Sequence, residues 1–236
     1  MNLLQHLDKL KKKNERLEIR RRQSFDKIFY LSKEMENLGG DILTCSKEII
    51  AACLKNDVGV ASNRLRTAEE NMKKFNGKLF RCRGILGNLL TNTQLKANDL
   101  QNVYSKLESF EKDFSSAKEE FFEAKILYFY IEEGKILRPA DLFLSDFETY
   151  AGALSDFCGE LLRKARLDFT KDSTSTMKSI KRYYDITQDI HQALLSFAFS
   201  NKSGIRPKIG HLEGYIRGFE DLFYDFSNKS NKKGIR

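Results

Sequence analysis

Prolines are almost absent from this chain of 236 residues, which contains only Pro139 and Pro207. Proline removes a backbone donor and clashes with the preceding helical turn, so a chain this poor in proline can form long uninterrupted helices. Apolar residues recur at spacings of three, four and seven, and no segment shows the strict alternation of a half-buried strand. The sequence therefore predicts an all-α bundle of about six to seven long helices.

Turn signals near residues 56–59, 91–93, 132–134, 171–173 and 201–204 separate these helices. A bend is expected at Gly39-Gly40, inside the first long helix. Ser145 is expected to cap the fourth helix, which has Glu148 three residues later. Helix five is expected to span residues 174–200, and Pro207 stands near the start of the last helix. That helix has glycine at every fourth position, which predicts a close helix contact at Gly210, Gly214 and Gly218, either inside the protomer or between protomers.

Three segments are expected from composition. Residues 1–22 form a basic helical extension ending in Arg20-Arg21-Arg22, residues 23–228 form the helical domain, and residues 229–236 form a flexible basic tail. The extension has two interpretations, an arm that binds nucleic acid or a solvated helix.

The formal net charge of +8 favours a polyanionic partner, although surplus lysine also serves solubility. Basic residues on polar helix faces are candidates for contacts with nucleic-acid phosphates, and the alternative for each is a plain exposed face. These candidates are Arg21, Arg64, Arg66, Lys73 and Arg163.

The four cysteines are expected to be small buried side chains in a reducing compartment, because none forms a C-x-x-C pair. The sequence has no run of 18 apolar residues, so no membrane span is expected, and the N-terminus lacks the apolar core of a signal peptide. A cytoplasmic protein without a membrane partner is expected.

Two acidic pairs stand out on consecutive predicted helices. Glu120 and Glu123 lie three residues apart on the third helix, just before an apolar run. Asp156 and Glu160 lie four apart on the fourth, so each pair shares one helix face. Carboxylates entering a buried region repel each other unless something neutralises them.

An antiparallel packing of these helices would let the two pairs hold one divalent cation, and all-oxygen ligands suit Mg²⁺ or Mn²⁺. Arg163 would then contact phosphate or tether Glu160. The alternative is that both pairs are solvated surface charges, because such pairs are common on helices.

The same residues resemble motifs of the translin/Trax family, and of its Trax branch in particular. The segment Glu120-Phe121-Phe122-Glu123-Ala124 is similar to the Trax E-F-x-E-A motif. The segment from Ala153 to Leu161 is similar to G-x-x-D-x-x-G-E-L, except that alanine stands at its first glycine. The similarity extends weakly over about residues 25–226 and leaves out the N-terminal extension.

The resemblance implies a translin-like fold, a closed octamer-like shell of protomers, and binding of single-stranded RNA or DNA inside it. It implies a Mg²⁺-dependent endoribonuclease whose catalytic acids and metal ligands are Glu120, Glu123, Asp156 and Glu160. It leaves open a translin-like partner subunit. The short connection between residues 131 and 145 resembles an archaeal stand-alone Trax. The alternative function is a translin-like protein that binds single-stranded nucleic acid without cleaving it.

Overall fold

A computed structural model describes residues 3–92, 97–142, 146–170, 174–197, 199 and 204–233. Within these ranges the chain is helical and contains no strand, which confirms the predicted all-α class. Six α-helices and one short 3₁₀ helix follow in order: α1 Leu3–Leu54, α2 Val58–Asn92, α3 Ala97–Glu133, the 3₁₀ helix Pro139–Leu142, α4 Phe147–Phe169, α5 Thr174–Leu195 and α6 Ile205–Lys233.

The connections carry the expected stop and start residues. Asn56 adopts a left-handed backbone (φ 58°) after α1, and Asp57 caps α2 by accepting a hydrogen bond from the Val60 amide at 3.1 Å. Gly134 (φ 69°) closes α3. The cap of α4 is Asp146, which accepts from the Glu148 amide at 3.0 Å. The sequence placed this cap one residue earlier, at Ser145, which lies outside the described residues.

The helices divide into two compact units, each drawing on parts of α1, α2 and α3. The first comprises Met1–Ile42 and Ala68–Ala117. In its described part, Met35 and Cys82 are fully buried, and Phe75 stacks on Phe114 with ring centroids 3.4 Å apart. Lys78 and Glu34 form an ion pair at 2.7 Å.

The second unit comprises Leu43–Thr67 and Lys118–Arg236 and contains the acidic residues. Its helices α4, α5 and α6 pack against one another. Phe157, Ile180 and Phe219, one from each helix, have no exposed surface. Tyr130 of α3 packs edge-on against Phe157, so the end of α3 belongs to the same core.

Helix α1 continues without interruption through residue 23 and through Gly39-Gly40, and α6 continues past residue 228. Two local expectations are refined. Helix α5 ends at Leu195 rather than at residue 200. The glycine stripe of α6 makes a close contact at one position: a Cβ at Gly218 would lie 2.8 Å from Leu162. Gly210 and Gly214 meet nothing within 4 Å, so within the protomer the close contact predicted for the stripe is made at Gly218.

All four cysteines are buried, as expected. No helix among the described residues is long and apolar enough to span a membrane.

Candidate metal-carboxylate site

The acidic stretch of α3, residues 119–123, enters the core of the second unit. Phe121, Phe122 and Ala124 are buried around Glu123, whose own exposed fraction is 5%. Glu120, one turn earlier, is half-buried. Helix periodicity places both carboxylates on one side of α3, as the sequence predicted.

On the side of α4 that faces α3 and α6, two glycines leave room for neighbouring side chains. A Cβ at Gly152 would lie 1.6 Å from Glu119 Oε1, and a Cβ at Gly159 would lie 3.0 Å from the Tyr215 ring. Asp156 and Glu160 are half-buried beside these glycines. Glycine at these two positions therefore admits side chains of α3 and α6 to the face of α4 that carries the acids.

The four predicted acids share one electrostatic environment. Burial is the largest cause of a shift that raises the pKa of Glu123 from 4.5 to about 9, and the charges of Asp156, Glu120 and Glu160 add to it. Burial also raises the pKa of Glu120 and of Glu160. The two acidic pairs therefore lie close enough within this unit for their charges to interact, and the surroundings of Glu120, Glu123 and Glu160 disfavour the negative charge of these three.

Glu160 is incompletely neutralised. Its Oε2 atom is buried and accepts no hydrogen bond within the described part of the chain. Arg163 approaches it, with Nη1 at 3.6 Å, so Arg163 tethers Glu160 weakly. An orphaned buried carboxylate oxygen is costly and is a natural ligand atom for a cation.

The sequence patterns missed two residues of the site, Lys208 and Glu119. Lys208, in the first turn of α6, donates hydrogen bonds to Glu119 Oε1 at 2.7 Å and to the Asp156 carboxylate. Burial alone would lower the pKa of Lys208, but these hydrogen bonds outweigh it and the pKa is raised. Gly152 lies one turn before Asp156, and its lack of a side chain was the sequence signal that another side chain, here that of Glu119, could approach α4. No local pattern links Lys208 to an acid about fifty residues away.

The chemistry of the donor set fits a hard divalent cation, because every candidate ligand atom is a carboxylate oxygen and one of them, Glu160 Oε2, is buried without a hydrogen bond among the described residues. The side chains do not converge on one point: over the described ranges, no group of three or more His, Cys, Asp or Glu residues is arranged to hold a metal. Lys208 supplies positive charge beside Glu119 and Asp156, and Arg163 supplies it beside Glu160.

The predicted phosphate-binding residues of the second unit are already engaged with neighbours. Arg64 pairs with Glu48 at 2.9 Å, with both side chains exposed by more than two fifths. Arg66 donates to Asn63 at 3.4 Å. Exposed pairs of this kind are weak, so each arginine remains able to exchange its partner for a phosphate.

The first unit contains a basic groove between α1 and α2. Its volume is about 690 Å³, and Arg20, Arg21 and Lys27 line it on the side of α1. Arg21 also contacts Glu18, with Nη1 at 3.4 Å. Lys73, the remaining candidate, is exposed on α2 and does not line the groove.

No protein-family model matches the chain, and no curated protein is significantly similar to it. Solved structures do match. The apo form of NeC3PO is 19% identical with a TM-score of 0.51, covering 96% of this chain and 100% of that one.

AfC3PO is 19% identical with a TM-score of 0.62, covering 95% of this chain and 98% of that one. A complex of AfC3PO with duplex RNA is 18% identical with the same TM-score, covering 95% and 97%. C3PO is the translin/Trax complex, and these two forms are archaeal. The chain therefore has the translin-like fold that the sequence resemblance implied.

Proposed function

We propose that this chain is a Mg²⁺-dependent endoribonuclease of the translin/Trax family. The observation that supports the proposal is the acidic cluster of Glu120, Glu123, Asp156 and Glu160, in which the charges of the other three act on Glu123, in a C3PO-like fold. Four neighbouring acids in a partly buried region destabilise the fold. Their presence therefore supports a functional reason.

The four carboxylates would hold the ion, with Mn²⁺ as an alternative to Mg²⁺. A bound divalent cation supplies a Lewis acid that activates water and offsets charge on a phosphodiester. Glu123 keeps a proton at neutral pH while the cluster is metal-free, because its pKa is about 9. Arg163 lies next to Glu160 with its side chain 64% exposed, in a position to contact an RNA phosphate.

RNA is the proposed substrate. The AfC3PO complex contains duplex RNA, and the net charge of +8 favours a polyanion. The resemblance to Trax favours single-stranded RNA, with single-stranded DNA as a further ligand. We propose a homo-oligomer, octamer-like and closed, that acts in the cytoplasm; a translin-like second subunit is the alternative assembly.

A second function is favoured by two observations. The ammonium of Lys208 lies in the acidic cluster, and over the described residues no three ligands converge. This second function is that of a protein which binds single-stranded nucleic acid without cleaving it.

The two functions are separated by a cleavage assay on end-labelled single-stranded and duplex RNA, with Mg²⁺ and with chelator. Asp156→Ala and Glu123→Ala should lose cleavage by about a hundredfold or more and keep RNA binding and oligomer mass. Glu132→Ala, an exposed acid on the same helix, is the matched control. Unchanged cleavage in both site variants would refute the acidic cluster as the nuclease site, and RNA binding by the wild type without any cleavage would support the second function.

A further inference from the structure

Lys208 links three helices of the second unit through the acidic cluster. Its ammonium donates to Glu119 of α3 and to Asp156 of α4, while Lys208 itself belongs to α6. The three side chains are between about a quarter and a third exposed, so the ammonium stands at the solvent edge of the cluster.

The surroundings of Lys208 make room for this contact. The carboxylate of Glu119 occupies space that only glycine leaves at position 152, since a Cβ there would lie 1.6 Å from it. A lysine in the first turn of a helix faces the positive end of the helix dipole, which is unfavourable without nearby anions. The buried Ile205 fixes the start of α6, so the lysine is placed from a packed part of the backbone.

The charges around Lys208 come from more than its two hydrogen-bond partners. The positive charge of Lys208 also acts on Glu120 and Glu123, and it offsets part of the rise that burial causes in the pKa of each. The ammonium of Lys208 therefore acts on four carboxyl groups of one cluster, and Lys47 of α1 also acts on Glu120. An incoming divalent cation would meet the same carboxylates.

We infer that Lys208 is the internal counter-cation of this cluster and competes with the divalent cation for Asp156. The inference rests on the proposed function, because it takes a divalent cation as the ligand of the cluster. In the metal-free protein the ammonium neutralises Asp156 and Glu119. Binding of a divalent cation to Asp156 requires the Lys208–Asp156 hydrogen bond to break, so Lys208 sets the cation concentration at which the cluster fills.

The test is a calorimetric titration of the full chain with Mn²⁺ in the absence of RNA. Lys208→Met removes the ammonium and retains most of the apolar stem, and it should bind Mn²⁺ about tenfold more tightly than wild type, since a charge-assisted hydrogen bond is no longer broken. Lys208→Arg keeps the positive charge and should bind within about threefold of wild type. Equal or weaker binding by Lys208→Met would overturn the inference, because it would mean that the lysine does not compete or that it organises the cluster for the ion.

Thermal unfolding in chelator provides a second measurement. Lys208→Met should unfold at a lower temperature than wild type in chelator. Saturating Mn²⁺ should raise the Tm of Lys208→Met by more than it raises the Tm of wild type. If Lys208→Met does not fold, Gly152→Ala serves instead. Its methyl group displaces the Glu119 carboxylate and leaves Lys208 with Asp156 as its remaining partner, so Mn²⁺ binding should weaken by about threefold, whereas unchanged or tighter binding would count against the competition.

The outcomes also separate this inference from the proposed function. RNA cleavage by the wild type, together with unchanged Mn²⁺ affinity in Lys208→Met, would refute the inference alone. No Mn²⁺ binding by either protein would overturn the inference, and the RNA cleavage assay would then decide the proposed function by itself.

Discussion

Replacing Glu123 by glutamine is expected to stabilise the metal-free protein at neutral and alkaline pH. Burial and the neighbouring carboxylates raise the pKa of Glu123 from 4.5 to about 9. Between these values the folded chain keeps a proton that the unfolded chain releases. The contribution of Glu123 to stability is therefore fully present below pH 4.5 and is lost as the pH rises to about 9. Glutamine has nearly the same shape and carries no charge, so the variant lacks this loss.

The size of the effect follows from the pKa difference. One proton changes the free energy of unfolding by about 1.4 kcal/mol per pH unit. From pH 4.5 to about pH 7 the loss is at most ~3 kcal/mol, and by about pH 9 it is at most ~6 kcal/mol. The carboxylates of the cluster titrate together and share part of this shift, so we expect Glu123→Gln to exceed wild type by about 1–3 kcal/mol at pH 7.

The assay is urea unfolding in chelator at one protein concentration, at about pH 5, 7 and 8.5. The difference between variant and wild type should be near zero at the lowest pH and should grow with pH. Glu132→Gln, at an exposed position of the same helix, should show no such trend. Parallel stability curves for Glu123→Gln and wild type would refute the reasoning, since they would mean that Glu123 is not held protonated by its surroundings.

Two further predictions concern packing and burial in the second unit. Gly218→Ala should destabilise the protein by about 1–3 kcal/mol, because the new Cβ would lie 2.8 Å from Leu162, whereas Gly214→Ala, which meets nothing within 4 Å, should stabilise it by about 0.5–1 kcal/mol. Both are read from urea unfolding, and equal effects would contradict the close contact. Asp168→Ala should cost about 3–5 kcal/mol, because it strands Lys164, which is 2% exposed and bonds Asp168 at 3.1 Å. The double variant with Lys164→Met should recover most of this loss in the same assay, and no recovery would argue against a stranded charge.

Much of the helical architecture could be read from local sequence signals. Scarce proline and apolar residues at helical spacing determine an all-α chain, and Asn56, Asp57 and Gly134 act at the turns through their own backbone preferences. The burial of the end of α3 was also predictable, because a continuous apolar run leaves no polar face. Helix ends were less predictable: α5 stops at Leu195, although Phe197 and later residues continue its apolar composition.

The acidic cluster was predictable as two pairs of carboxylates, each on one helix face, because i, i+3 and i, i+4 spacing is a local property. Sequence could not determine which charges oppose them. Lys208 and Glu119 are 89 positions apart and meet only because α3, α4 and α6 pack together. The glycines show the same division: Gly210, Gly214 and Gly218 look equivalent in sequence, yet only Gly218 faces a neighbouring side chain.

Local chemistry therefore determined that this chain forms long helices and that acidic pairs lie where one of them enters the core. Tertiary packing decided that Glu123 is buried among like charges, that an oxygen of Glu160 lacks a hydrogen bond, and that a lysine from α6 meets Asp156. The physical reason is that desolvation and Coulomb energies depend on the distances between helices, whereas the spacing of residues along one helix is set by the helix itself.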